Sequence, residues 1–441
     1  MFGIKIIITI ACFSYYSYPQ FKFLGLSNYK VNKIVIYKDY LFAATVNGVF
    51  KKSINSPDTI WSPIGFQESE IKSVLVFNID TIFASKKISG LNEDTISIFI
   101  TTNSGINWQP FQNGFGGGTG FSNQVLDFET YPNQSDTIFA TGLAQIAKSK
   151  NFGSSWNLVW NNWNHSGVGI HFIKIHNNYH NLVWAGGETG FLQPVILNST
   201  NFGLSWKENF IFVGGDNACY SCAFHPSDSN IVYIGMEGRI IKTTNRGENW
   251  NTLFAPLSYP YFFGLMVNPF YHNIIYAAGG INIYLEPQDL ILYLSEDSGL
   301  NWSPIIEGTK LRLGVLDLQM ISNDTIDNVF LATGEGVYEY HNVITDLYLE
   351  ASIINSFSLM QKYPNPFNSN TIIEYSIPKE CLVKMKIYDV LGSELLTLVN
   401  ENKSEGKYQI RFDGTNLPSG IYFYSLIAGN YKEVKKLIKL N

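Results

Sequence analysis

The chain is poor in arginine, in cysteine and in charge of either sign. Only four of its 441 residues are arginine (Arg239, Arg246, Arg312 and Arg411), and charged residues make up 15%. Four cysteines, Cys12, Cys219, Cys222 and Cys381, are too few to staple a chain of this size. Cys219 and Cys222 form a CYSC run, but strand positions three apart point to opposite faces, and no second Cys or His pair stands at zinc spacing. They are expected to be packing residues. No apolar stretch approaches the ~18–20 residues that span a bilayer, and no long segment keeps a 3.6-residue apolar period. A net charge of −6 without a basic stripe argues against a nucleic-acid partner. The acidity is uneven, because residues 359–441 hold 11 Lys and Arg against 8 Asp and Glu, leaving the remainder near −9.

What the chain has is aromatics, glycine and repetition. With 26 Tyr, 31 Phe, 37 Gly and short alternating runs, an all-β fold is predicted. One octet recurs as TTNSGINW (101–108), SKNFGSSW (149–156), STNFGLSW (199–206), TTNRGENW (243–250) and SEDSGLNW (295–302). A second element, an Asp or Asn turn followed by a strand, recurs as DYLFAATVNGVFKK (39–52), DTIFAS (80–85), DTIFATG (136–142), NLVWAGG (181–187), NIVYIGMEG (230–238), NIIYAAGG (273–280) and DNVFLATGEGVYEY (327–340). Its spacing is that of propeller blades. One strand precedes each turn and another follows each octet, which makes four strands per unit and seven units. Repeated four-stranded sheets protect their edges by radial closure, so a seven-bladed β-propeller is predicted over residues 27–345, with six or eight blades as alternatives. The first and last units lack the octet, although Trp61 keeps the tryptophan place in the first.

Within the octet, the hydroxyl residue and the amide or carboxylate (Asn103, Asn151, Asn201, Asn245, Asp297) suit turn hydrogen bonds. Gly105, Gly153, Gly203, Gly247 and Gly299 suit a positive φ, and Trp108, Trp156, Trp206, Trp250 and Trp302 bring a large ring to pin the hairpin to its blade. The octet is scaffolding. Its pattern, Ser/Thr-x-Asp/Asn-x-Gly-x-x-Trp, resembles the Asp-box or BNR repeat of bacterial sialidases, sortilin-type receptors, xyloglucan-degrading glycosidases and a photosystem II assembly factor. The resemblance implies a turn between third and fourth strands, away from the binding face. It leaves the activity open, because these families differ in function.

After a linker at 346–358, alternating strands broken by turn signals predict a small antiparallel, Ig-like sandwich over 359–441. Gly392 and Gly414 fit turn positions that need φ > 0. YPNPFN (363–368), IYDVLG (387–392), FDG (412–414), LPSGIYFY (417–424) and KKLIKL (435–440) resemble the type A C-terminal sorting domain of the type IX secretion system of Bacteroidetes-like bacteria. The resemblance implies export through that machinery to the outer surface or the medium. It marks Pro364, Asn365, Pro366, Gly392, Gly420, Tyr422, Lys435 and Lys436 as sorting-motif residues. At the other end, residues 1–18 carry one lysine, an apolar run from Ile6 to Phe13 and a small polar tail, as a secretory signal does. Thr9 before Cys12 makes a poor lipoprotein box.

Catalysis has thin support. A sialidase needs three arginines on its substrate carboxylate, and the propeller has only Arg239, Arg246, inside an octet, and Arg312. Aligning first strands on the turns that follow sets Asn32, Lys72, Asp127, His171, Ser221, Gly264 and Asp317 at one level, expected to face the channel. Asp127, Asp317 and the loop residue Asp216 are the candidate catalytic carboxylates. The first two come from the third and seventh units, nearly opposite, a poor match to the ~5–9.5 Å of glycosidase pairs. Loops entering the first strands offer a ligand-binding rim of Trp160, Trp163, His165, Asp216, Tyr261 and Arg312. The glycine-rich stretch 111–124 lacks the Lys-Ser/Thr ending of a phosphate loop. His165, His171 and His176 are not at metal spacing, and no metal or cofactor is expected. The expectation is an exported, secreted or cell-surface propeller that binds glycan or protein. A carbohydrate-active hydrolase is the second reading, and a structural surface protein the third.

Overall fold

The structure, a computed structural model, describes residues 21–88, 96–115, 123–132, 134–162, 169–188, 193–210, 218–281, 289–310, 314–344, 357–361, 366–404 and 406–440. All regular elements among the described residues are strands. The chain divides into two units, Met1–Thr345 and Asp346–Asn441.

The first unit is built of seven four-stranded antiparallel sheets. Their first strands are Val31–Tyr37, Ile71–Val76, Val125–Tyr131, Gly169–Ile175, Cys219–Phe224, Tyr261–Val267 and Val315–Ser322. Each packs against the first strand of the next sheet, and the seventh returns to the first. The ring is closed, and the fold is a seven-bladed β-propeller. Blades 1 to 6 use four consecutive strands each. Blade 7 takes its outer strand, Phe21–Gly25, from the other end of the chain, pairing it with Gly336–Val343. The propeller therefore starts upstream of the expected residue 27. The missing octet of blade 7 now has a reason: no hairpin joins its third and outer strands. In blade 1 the same hairpin is held instead by an ion pair, Lys52 Nζ to Asp58 at 3.0 Å.

The five octets occupy the hairpins between third and fourth strands and share one geometry. The Ser or Thr hydroxyl accepts from the glycine N–H at 3.0, 2.8, 2.9, 2.9 and 2.8 Å along the chain. The Asn or Asp Oδ1 accepts from the N–H four residues on at 2.8–3.0 Å. All five glycines have positive φ, and so do the residues before them, Ser104, Phe152, Phe202, Arg246 and Ser298. The N–H of each of those residues bonds the carbonyl of the Asp or Asn turn in its own blade (Asp80, Asp136, Asn181, Asn230, Asn273). The two repeated sequence elements are thus one hydrogen-bonded unit.

The octet also reaches sideways, which single-blade pinning did not anticipate. A Cβ on Gly153 would lie 2.7 Å from Phe83, on Gly203 2.5 Å from Phe139, and on Gly247 2.9 Å from Trp184, each ring belonging to the preceding blade. Trp108 Nε1 donates to Ile64 O of blade 1 at 2.8 Å, and Trp61 Nε1 to Leu24 O of blade 7 at 2.9 Å. The hairpins fasten neighbouring blades.

On the same rim, side chains cap the turns after three first strands. His176 Nδ1 accepts from the N–H groups of Asn178 and Tyr179, His225 Nδ1 from Ser227 and Asp228, and Asn268 Oδ1 from Phe270 and Tyr271. Burial, and then the neighbouring His272, whose ring meets it edge-on, push the His225 imidazole down to about 4; Lys242 and His176 push the same way, and Asp228 opposes them. With the folded value below the ordinary 6.5, this group contributes stability above pH 6.5 that is lost as pH falls toward 4. Replacing His225 with Asn, the residue type blade 6 already uses, should keep the turn and remove that loss. Melting curves of H225N and the parent chain should coincide near pH 8 and separate in favour of H225N below pH 6; parallel curves would refute the assignment.

The second unit is a sandwich. One sheet has the order Ser358–Gln361, Asn370–Ile377, Gly406–Asp413, and the other Glu394–Lys403, Cys381–Tyr388, Gly420–Ala428, Tyr431–Lys439. Its core includes Leu359, Phe367, Tyr375, Met385, Phe412, Tyr424 and Leu437. Gly392 has φ +82°, as its turn requires. Gly414 does not adopt positive φ; it is small because a Cβ would come within 2.7 Å of Phe367.

Candidate functional site

Each first strand carries a bulge near its start, where the pairing with the second strand slips. The slip corrects the channel level expected above. Asn32, Lys72 and His171 occupy the bulges, in register with Leu126, Tyr220, Phe263 and Leu316. Asp127, Ser221, Gly264 and Asp317 stand one residue further, in register with Lys33, Ser73 and Phe172. The expected ring mixed two levels. The bulge also corrects the cysteine argument: Cys219 and Cys222 are both buried in the same core between blades 4 and 5, with Phe172 and Trp184. They are packing residues, and burial raises both thiols.

The Asp127 level is an ionic clasp. Asp127 forms an ion pair with Lys33 of blade 1 and accepts from Ser73 Oγ of blade 2 (3.3 Å), Phe128 N (2.9 Å) and Ile173 N of blade 4 (3.3 Å). Asp317 accepts from Ile34 N of blade 1 at 3.0 Å, closing the ring beside blade 7. Two residues along, Glu129 faces Lys174 at 3.7 Å. Burial alone would lower the Lys174 ammonium, but Glu129, Asp127 and Asp317 together hold it above its usual range. Burial raises the Glu129 and Asp317 carboxyls, against Lys174 for the first and Lys33 for the second. Asp127 is 4% exposed and fully engaged, so its geometry is that of a strut across four blades and not of a catalytic acid.

At the channel mouth opposite the octets, the bulges of blades 4 to 6 bring aromatics together. Tyr220 lies 5.3 Å from His171, 4.8 Å from Phe263 and 5.9 Å from Tyr261 between ring centroids, and Tyr261 stacks on Phe263 at 6.1 Å. Two carboxylates stand at the ends of the neighbouring second strands, Glu188 as the last residue of one and Glu237 as the residue just after the other. Glu188 Oε1 lies 3.4 Å from His171 Nε2, and Glu237 Oε1 accepts from the Tyr261 hydroxyl at 2.8 Å. Blades 1 and 2 supply a polar sector: Asn32 donates to Ile71 O at 2.7 Å, and Glu70 contacts Lys72 (2.6 Å) and Lys87 (2.7 Å). Burial would raise the Glu70 carboxyl, but the two lysines hold it below its usual range.

Of the expected rim, Tyr261 belongs to this group. Trp160 does not: it is buried in the core between blades 3 and 4, its Nε1 donating to Glu208 at 2.8 Å. Trp163, His165, Asp216 and Arg312 lie outside the described residues, as do Pro364, Asn365 and residues 1–18. Sequence reasoning missed Tyr220, Phe263, Glu188 and Glu237. A signal for the last two was visible, since WAGGE (184–188) and YIGME (233–237) end in glutamate at one offset.

In the sandwich, motifs far apart in sequence meet. Phe367 N donates to Ile438 O at 2.9 Å and Leu440 N to Phe367 O at 2.8 Å, so the terminal strand is zipped to Phe367. Phe367 packs on Phe412 at 5.9 Å, Gly414 N donates to Ser369 O at 2.8 Å, and the Tyr422 hydroxyl donates to Pro418 O at 2.7 Å. Pro366 is exposed, while Gly420 has open space around it. Lys435 lies 3.5 Å from Glu433, and Lys436 pairs in register with Phe423 on the opposite face.

Residues 361–440 match the family described as the secretion system C-terminal sorting domain. The chain is also similar to solved structures. A GH74 xyloglucanase from Xanthomonas campestris is 14% identical with a TM-score of 0.55, over 72% of this chain and 53% of that one. An ancestral GH74 enzyme is 16% identical with a TM-score of 0.51, over 83% and 62%. YCF48 from Cyanidioschyzon merolae is 12% identical with a TM-score of 0.51, over 73% and 98%. The chain thus spans less than two thirds of either GH74 protein. These likenesses establish the propeller fold. No curated protein matches the chain.

Proposed function

We propose that this is an exported propeller, carried out of a Bacteroidetes-like cell by the type IX machinery, that binds glycan at the channel mouth of blades 4 to 6. In this reading residues 1–18 are the signal, 346–358 a linker, and the octets Asp-box repeats acting as blade fasteners. The observation that supports binding is the cluster of Tyr220, Phe263 and Tyr261 beside Glu188, Glu237 and His171. Aromatic faces receive the C–H faces of sugar rings, and carboxylate and imidazole groups receive their hydroxyls. Titration with xyloglucan and chitin oligosaccharides should show binding that Tyr220→Ala and Phe263→Ala each weaken about ten-fold, the worth of one stacking contact. A parent chain that binds nothing on a broad glycan array would end this reading.

A glycoside hydrolase is the second reading, favoured by Glu188 and Glu237 standing at equivalent positions of adjacent blades on that mouth. It requires release of reducing ends by the parent chain and its loss in both Glu188→Gln and Glu237→Gln.

A further inference from the structure

The bulge level forms a complete ring around the channel mouth, one residue from each first strand. In blade order it runs Asn32, Lys72, Leu126, His171, Tyr220, Phe263 and Leu316. All seven are half-buried and the residue before each is buried, so these are the side chains turned to the channel. The ring is two-sided. With seven blades, blade 5 stands opposite the junction of blades 1 and 2, which sets Tyr220 across from Asn32 and Lys72. Leu126 of blade 3 and Leu316 of blade 7 separate this polar sector from the aromatic one. One residue below, the channel is barred. Lys33 reaches past blade 2 to pair with Asp127 of blade 3, and Asp317 of blade 7 accepts from Ile34 N of blade 1. Deeper, Glu129 and Asp127 of blade 3 and Asp317 of blade 7 all act on the Lys174 ammonium of blade 4, whose charge thus lies between opposite sides of the ring. Paired charges in so enclosed a place resist separation, because a partner left alone keeps its full desolvation cost. The ring is the wall of a cup with an ionic floor.

We propose that this cup takes the end of a glycan chain, a terminal sugar entering end-on, and not the interior of a chain. The inference rests on the glycan reading above. An interior sugar carries a linkage on each side, and the second would have to leave through the Lys33–Asp127 floor or through the wall. A terminal sugar has a single linkage, which leaves away from the floor. Its C–H face rests on Tyr220 and Phe263, whose rings lie 4.8 Å apart between centroids. The hydroxyls of its far edge meet Asn32 and Lys72. The Asn32 amide gives one N–H to Ile71 O and the Lys72 ammonium one to Glu70, and each group has further hydrogen-bonding capacity for a sugar hydroxyl. Leu126 and Leu316 offer no hydrogen bond and set the width of the cup. A free chain end is thereby selected, because capping its hydroxyl leaves a polar group of the wall without that bond.

The test titrates the full chain with chitin and xyloglucan oligosaccharides of increasing length. Affinity should stop rising after the second sugar, so that a chitin hexasaccharide binds within about three-fold of the disaccharide. Methylation of the non-reducing 4-hydroxyl, or borohydride reduction of the other end, should weaken binding by about ten-fold or more, and the cap that does so names the end that enters. Leu316→Trp fills the cup without replacing an aromatic or polar contact, and should weaken binding to the same degree with a thermal midpoint near the parent's. Leu126→Trp repeats the test from the other side should the first variant be unstable. A hexasaccharide that binds more than about ten-fold tighter than the disaccharide would overturn end recognition and leave the glycan reading standing. So would two capped forms that bind as the free ones do, or folded Trp variants that bind as the parent does. A parent chain that binds neither series and nothing on a glycan array would overturn both.

Discussion

Removing Phe21–Gly25 is expected to destroy the propeller as a cooperative unit. This strand closes blade 7 through a ladder in which Phe21, Lys22, Phe23 and Gly25 pair with Tyr340, Glu339, Tyr338 and Val337. Leu24 is 3% exposed, and its carbonyl receives the indole N–H of Trp61 from blade 1. Phe21 and Phe23 lie 4.9 and 5.1 Å from Tyr340 and Tyr338. Losing one buried leucine costs about 2–5 kcal/mol, and the ladder and the Trp61 bond go with it. The sum approaches the about 5–15 kcal/mol that holds a typical domain together. Deletion also bares the third strand of blade 7, an edge that invites association with other chains. A broad, low-temperature melt with aggregation on gel filtration is expected. Leu24→Ala should give a milder loss of about 2–4 kcal/mol by denaturant titration. An unchanged midpoint for the deletion would show that the ring does not depend on its N-terminal strand.

Asp127→Ala is expected to be the most damaging single substitution in the channel. It leaves the Lys33 ammonium without its carboxylate and the Ile173 N–H and Ser73 hydroxyl without their acceptor. Breaking one side of a buried ion pair costs about 3–5 kcal/mol. Replacing both charges by apolar residues of similar size, as in K33M/D127L, should recover much of this, because the desolvation cost of the pair disappears too. Denaturant unfolding of K33M, D127L and the double variant gives the coupling directly. A D127A chain within about 1 kcal/mol of the parent, inside the range of ordinary surface changes, would show that the clasp carries no stability. The same experiment bears on function. If Asp127 were a catalytic acid, D127A would remove activity at little cost in stability; the clasp geometry predicts the reverse.

The fold was legible because most of its signals are local. The octet closes hydrogen bonds across four residues, with the N–H of Gly203 donating to the Ser199 hydroxyl and the N–H of Ser205 to Asn201 Oδ1. A hairpin of that kind is recognisable without knowing what surrounds it. The candidate site was less legible, because its members are joined by register and not by spacing. Tyr220, Phe263 and His171 come together only because each first strand slips by one residue or two at the same height.

By itself, the sequence determined the four-stranded unit, the ring of such units with seven as the expected count beside six and eight, the scaffold role expected of the Gly–Trp hairpins and the sandwich that follows them. Tertiary structure alone decided which strand closes blade 7, that the hairpins fasten neighbouring blades, that Cys219 and Cys222 share one core, and that Asp127 is a strut. The physical reason is the same in each case. Alternation along a strand has a period of two, so one bulged residue inverts every facing assignment beyond it. The contacts that settle these points reach from Trp61 to Leu24, from Asp127 to Lys33 and from Tyr340 to Phe21, through packing that no short-range pattern encodes.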